Sequence, residues 1–184
     1  MPRFGGELVR LDGGADLTQH SVMHTGRSSF MMGPMHDLAV NCLIGGMKYN
    51  FESKMKLIDD ETGQPFLCDK TKLWIDDDSC PLLTFQLTLA DGSQKWMYFN
   101  SETKEDWRAD SWNFFQSSFI IDESLVGATS GRFYMERVRS GVAIVLDEVS
   151  ITRDCSVLIP NWDAEVSVNV ILFRNFECIF NIHF

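Results

Sequence analysis

Met47-Lys48-Tyr49-Asn50-Phe51-Glu52-Ser53-Lys54-Met55-Lys56-Leu57 is the stretch from which the fold can be read. Met, Tyr, Phe, Ser, Met and Leu stand at the odd positions, and Lys, Asn, Glu, Lys and Lys at the even ones. A period of two sends one set to a buried face and the other to water, which marks a strand lying on a core. Leu83, Phe85, Leu87 and Leu89 repeat the alternation against Thr84, Gln86 and Thr88. The turn pair Asp91-Gly92 follows, and residues 94–99 return as the second arm of a hairpin. Weaker strand patterns cover residues 21–25, 37–43, 111–121, 131–138 and 142–151. No segment carries a sustained apolar stripe of helical period. Many short strands separated by turn residues predict an all-β chain, a β-sandwich or jelly roll.

The 184 residues allow one domain of ordinary size and a fragment of another. With 45% apolar residues the chain can build a real core. Its net charge of −10 argues against nucleic acid, which needs a cationic face for phosphates, and against an anionic membrane surface. It is compatible with a neutral ligand, a polycation or calcium. No run approaches the roughly 20 apolar residues of a membrane span, so no membrane insertion is expected. Residues 1–14 lack the apolar centre of a secretory signal, so either the signal lies outside this chain or the protein is not exported by that route. Residues 1–18 are glycine-rich and poorly patterned, and residues 76–78 and 102–110 read as solvated loops. Residues 166–184 are apolar and rich in β-formers, a composition that needs a sheet edge to pair with.

Three stretches add a likeness. Gly26-Arg27-Ser28-Ser29-Phe30-Met31-Met32-Gly33-Pro34 is followed by Asp37 and Leu38. Gly45-Gly46-Met47-Lys48-Tyr49 leads into the long strand. Trp112, then Phe133-Tyr134-Met135-Glu136, then Leu146-Asp147-Glu148-Val149-Ser150-Ile151 complete the series. In order and spacing these resemble the carbohydrate-binding modules of the xylan- and glucan-binding jelly-roll group, galactose-binding-like sandwiches, over most of residues 20–152. The segment from Asp154 to Glu165, with Trp162 where glycine is usual, resembles the opening strand of the same kind of module. The chain is accordingly read as one module over residues 1–153 lacking a clear opening strand, and, over 154–184, as the opening of a second module or a degraded tail. Tandem modules, or a tail strand supplied in cis or swapped to a neighbour, follow from that reading.

The resemblance implies a non-catalytic polysaccharide- or glycan-binding module of a secreted or cell-surface protein. It places Arg27, Met31, Tyr134 and Glu136 on the positions that line the sugar cleft, with Met31 standing where the family has a stacking Trp. Tyr134 and Glu136 are two apart and so share one face of a strand. Tyr can stack on a pyranose and Glu can accept from hydroxyls. The resemblance also implies a structural calcium. Asp147 and Glu148 match the closing acidic pair, and Asp163 and Glu165 match the opening strand.

Five cysteines leave at least one unpaired or paired elsewhere. Cys68 with Cys80, and Cys42 with Cys155, are candidate disulfides, and four cysteines allow three pairings. No Cys-x-x-Cys, Gly-x-Ser-x-Gly, phosphate loop or His-Glu-x-x-His is present, and the four histidines are scattered. Glu52 and Glu136 are the carboxylates that a glycoside hydrolase reading, a distant alternative, would bring together on one face. A structural or adhesive repeat without a sugar ligand is the nearer one.

Overall fold

The computed structural model describes residues 5–16, 19–72, 78–154 and the backbone of 180–182. Among the described residues ten strands run in the order β1 (Glu7–Asp12), β2 (His20–Thr25), β3 (Met35–Leu38), β4 (Lys48–Asp59), β5 (Leu82–Thr88), β6 (Gln94–Phe99), β7 (Asn113–Ile120), β8 (Ser130–Glu136), β9 (Val142–Asp154) and β10 (Phe180–Ile182). The only helical turns among the described residues are two short 3-10 turns, Val40–Cys42 and Glu123–Leu125. One sheet has the order β1-β2-β9-β4-β7, with β10 also against β9, and the other the order β3-β8-β5-β6. Every pairing between these strands is antiparallel. The architecture is a jelly-roll sandwich.

The alternation in β4 sets the geometry. Tyr49, Phe51, Ser53, Met55 and Leu57 are buried, while the lysines between them face outward. β4 lies between β7 and β9, so its inner face is the floor of the core. Leu83, Phe85 and Leu87 of β5 and Phe133 and Met135 of β8 close the core from the other sheet. Aromatic rings fill the space between: Phe85 and Phe119 have centroids 4.5 Å apart, and Phe51 meets Phe115 and Phe133 edge-on. Ring pairs of this kind add about 0.5–1.5 kcal/mol each beyond the area they bury.

Two features differ from the sequence reading. Residues 7–12, which show no usable pattern, form β1 at the edge of the first sheet. Their side chains are mostly exposed, so there is no buried face to leave an alternation. Residues 37–43 do not run as a strand: β3 ends at Leu38 and a 3-10 turn follows. Of the tail, the three residues of β10 pair with Val149 to Ile151, and residues 155–179 lie outside the described residues.

Cys68 and Cys80 form a disulfide that closes a loop of sequence separation 12, worth about 3 kcal/mol by loop-closure entropy. Cys42 is also disulfide-bonded. Its candidate mate Cys155, like Cys178, lies outside the described residues, as do Asp76 and Asp77 of the acidic loop.

Candidate functional site

The second sheet turns one face to the core and the other to solvent, and its pairing register lays out the outer face row by row. One row reads Met35 (β3), Tyr134 (β8), Thr84 (β5), Tyr98 (β6). The next reads Asp37, Arg132, Gln86, Trp96. Tyr134 and Glu136 do share this face, because Phe133 and Met135, which alternate with them, point into the core.

Both are nevertheless covered, at 5% exposure each. The Trp96 ring lies near-parallel to Tyr134, centroids 6.1 Å apart. The Tyr134 hydroxyl donates to Gln86 Oε1 at 2.6 Å, and Thr84 Oγ1 donates to Glu136 Oε1 at 2.8 Å. The middle of the face is thus a strip of polar side chains bonded to one another. The rings presented to solvent are Trp96 and Tyr98, 42% and 44% exposed, on edge strand β6. Neither was singled out from sequence. The available signal was a Trp and a Tyr two apart on the hairpin arm, with Met97 between them.

Residues 26–34 form the loop that packs across the end of β8. Pro34 O accepts from Met135 N–H, and Phe30 O accepts from Arg137 N–H. Gly33 permits this approach: a Cβ there would lie 1.6 Å from the Met135 carbonyl oxygen. Met31 stands on this loop, 46% exposed.

Arg27 lies behind the face, not on it. It is 2% exposed, and its guanidinium donates to four backbone carbonyls: Nε to Met32, Nη1 to Arg139 and Val142, and Nη2 to Val138. Burial lowers its pKa to about 10, partly offset by Asp60 and Glu136, so the side chain stays cationic at neutral pH. With its donors committed to carbonyls, it joins the 26–34 loop to the turn that precedes β9.

Burial pushes the Glu136 carboxyl up from its ordinary value, against the pull of the Thr84 hydrogen bond and the charges of Arg137 and Arg27. A carboxyl whose folded pKa exceeds its unfolded one favours the fold through its protonated form. That contribution is full below the unfolded value and is lost as pH rises through the folded one. Glu136→Gln keeps an acceptor for Thr84 and removes the buried charge. It should melt higher than the parent protein at about pH 8, with the gain gone by about pH 4. Melting curves across that range check this, and a gain independent of pH would show that the buried charge is not the cause.

The calcium set does not assemble among the described residues, where no group of three or more His, Cys, Asp or Glu could hold a metal. Asp147 Oδ2 accepts from Ala15 N–H at 2.6 Å, and Oδ1 accepts from Glu148 N–H at 2.8 Å. Glu148 sits at a bulge in left-handed backbone, φ 49°, and its Oε2 lies 3.7 Å from Lys54 Nζ. The Lys54 ammonium is also bonded to Asp16. Asp147 thus faces backbone N–H groups, and Glu148 faces an ammonium. Asp163 and Glu165 lie outside the described residues.

The carboxylates of Glu52 and Glu136 do not meet. Glu52 is on the outer face of the first sheet, bonded to Gln116, and Glu136 is on the outer face of the second. They stand on opposite sides of the sandwich, so this pair cannot flank a glycosidic bond.

Solved structures share the fold. The CBM22-1 xylan-binding domain of Paenibacillus barcinonensis Xyn10C is 18% identical, with 81% of each chain covered and a TM-score of 0.58. The CBM22-2 xylan-binding domain of the same protein is 14% identical over 83% of this chain and 89% of that one, with a TM-score of 0.58. A Clostridium thermocellum xylanase 10B structure, containing CBM22-1 and GH10 modules complexed with xylohexaose, is 16% identical. It covers 85% of this chain and 26% of that one, with a TM-score of 0.54. At these identities the likeness establishes a common fold. No family model and no curated protein matches the sequence.

Proposed function

We propose that this chain is a non-catalytic module that binds a neutral polysaccharide on the outer face of the β3-β8-β5-β6 sheet, in a secreted or cell-surface protein. The observation that carries the reading is the pair Trp96 and Tyr98, two half-exposed rings on one face of one strand. Residues two apart on a strand lie about 7 Å apart, a spacing that suits contact with neighbouring pyranose faces of one chain. Exposed aromatic rings leave apolar surface in water at a free-energy cost, and a pyranose offers the apolar face that removes it. Met31, on the loop at the end of β8, supplies a softer apolar contact. Tyr134 and Glu136 contribute from beneath, by holding the floor on which Trp96 rests.

The disulfide Cys68–Cys80 suits an oxidising compartment, which agrees with export. Among the described residues no helix is long and apolar enough to cross a membrane. The xylan-binding domains that share this fold make β-linked xylans the first polysaccharides to try. Of the readings of residues 154–184, the pairing of β10 with Val149 to Ile151 favours a tail strand supplied in cis to this sheet over the opening of a second module. No part of the reading depends on calcium.

The test is a tryptophan-fluorescence titration with soluble xylan, β-glucan, mannan and chitin oligomers. A saturable change with one of them, at micromolar to millimolar affinity (about −8 to −4 kcal/mol), supports the proposal and names the ligand class. No change with any of them, in a sample that melts cooperatively, overturns it and leaves the structural-repeat reading.

A further inference from the structure

Arg137 has backbone that an arginine rarely adopts. It follows β8 directly and sits in the left-handed region, φ 77°. Non-glycine residues stay in that region only where their surroundings hold them, and such positions concentrate at functional sites. Here both peptide groups are held. Its N–H donates to Phe30 O at 2.7 Å, and its carbonyl accepts from the buried Ser79 Oγ at 2.6 Å. Phe30 belongs to the loop of residues 26–34, and Ser79 immediately precedes the disulfide residue Cys80.

This backbone aims the side chain back across the face described above. The guanidinium lies between two rings, its carbon 5.6 Å from the centroid of Phe30 and 5.6 Å from that of Tyr98. Its Nε is 3.6 Å from Glu136 Oε1. The side chain is only 9% exposed, so it offers a ligand little surface of its own. One residue thus ties the 26–34 loop, the disulfide-closed loop and strand β6 together beneath an exposed aromatic ring.

We infer that Arg137 is a positioning residue for the Tyr98 ring and that Ser79, anchored beside the Cys68–Cys80 disulfide, holds Arg137 in place. The inference rests on the polysaccharide-binding reading above and deepens it. A half-exposed tyrosine on an edge strand is free to change rotamer, and a ligand that stacks on it must then fix it. Resting the ring against a guanidinium fixes it beforehand, so less ordering cost falls on binding.

The decisive variant is Arg137→Gly, since glycine adopts φ 77° without strain and removes the guanidinium. The probe is carbon-13 relaxation of the labelled Tyr98 ring in the ligand-free protein, read beside thermal melting and titration with soluble xylan. The expected result is a more mobile Tyr98 ring and an affinity per folded molecule lower by about fivefold, beside a lower melting temperature from the lost neighbour of Glu136. Arg137→Lys, which keeps charge but not the flat fork, is expected to recover part of the ring order. Should Arg137→Gly fail to fold, Ser79→Ala takes its place, with the same direction of change in ring order. A Tyr98 ring as ordered in the folded variant as in the parent protein overturns the inference. A parent protein that binds no polysaccharide sinks the binding reading instead, while the ring relaxation still decides whether Arg137 positions Tyr98.

Discussion

Trp96→Ala is expected to weaken polysaccharide binding about 30-fold and to leave the fold standing, since loss of an aromatic anchor costs about 2 kcal/mol and 1.4 kcal/mol is a factor of ten. The affinity effect follows from the ring's position. Trp96 is 42% exposed, so it has apolar surface left to cover, and its other side rests near-parallel over Tyr134, which keeps it from turning away. The small stability effect follows from the same facts. The residue lies on edge strand β6, and Leu87, Phe85 and Leu83 on the neighbouring strand supply the core whether or not the indole is present. Affinity electrophoresis in a gel containing the responding polysaccharide reads the first quantity, and thermal melting the second. Unchanged mobility would remove Trp96 from the site and return attention to Met31. Tyr134→Ala is a poorer probe, because it deletes a ring that is 95% covered and bonded to Gln86, so lost affinity and lost packing would arrive together.

Which parts of this picture the chain discloses beforehand depends on whether a residue's neighbours in sequence are also its neighbours in space. The long strand β4 is legible because every second side chain faces the same core, and the β5–β6 hairpin because Asp91-Gly92 closes it locally. The shared face of Tyr134 and Glu136 is legible for the same reason, since it follows from their spacing on one strand. Their burial is not. For Tyr134 it depends on Trp96, which reaches that ring only through the register of β6 on β5 and β5 on β8, and Glu136 has Thr84 and Arg137 beside it. Residues 95–99 read Lys-Trp-Met-Tyr-Phe, so large apolar groups stand on both faces and the alternation cannot say which one is wet. β1 escapes notice because an exposed edge strand has no pattern to show. The surroundings of Glu148 are equally hidden in the chain, because Lys54, distant in sequence from both it and Asp16, bonds Asp16 and lies beside Glu148.

Arg27 is the residue whose part changes most between sequence and structure, and its substitution should have the largest effect on stability. Arg27→Met removes the donors of four backbone carbonyls, three of them in buried bonds, and leaves those carbonyls facing an apolar side chain. Each orphaned buried acceptor costs about 1–3 kcal/mol, and breaking a buried charged network as a whole about 3–5 kcal/mol. A loss of about 4 kcal/mol corresponds to a melting temperature about 8–16 °C lower in a protein of this size. Arg27→Lys separates the two roles this residue can have. Lysine keeps the charge, but it gathers its donors on one nitrogen and cannot reach carbonyls spread around a planar fork. If Arg27 joins the 26–34 loop to the turn before β9, Arg27→Lys should still melt several degrees lower, and its affinity per folded molecule should match that of the parent protein. If Arg27 instead touches the ligand, Arg27→Lys should melt like the parent protein and bind more weakly. Thermal melting and titration of the same sample decide between them. The geometry favours the first outcome, because a guanidinium that is 2% exposed and bonded to four carbonyls has little left to give a sugar.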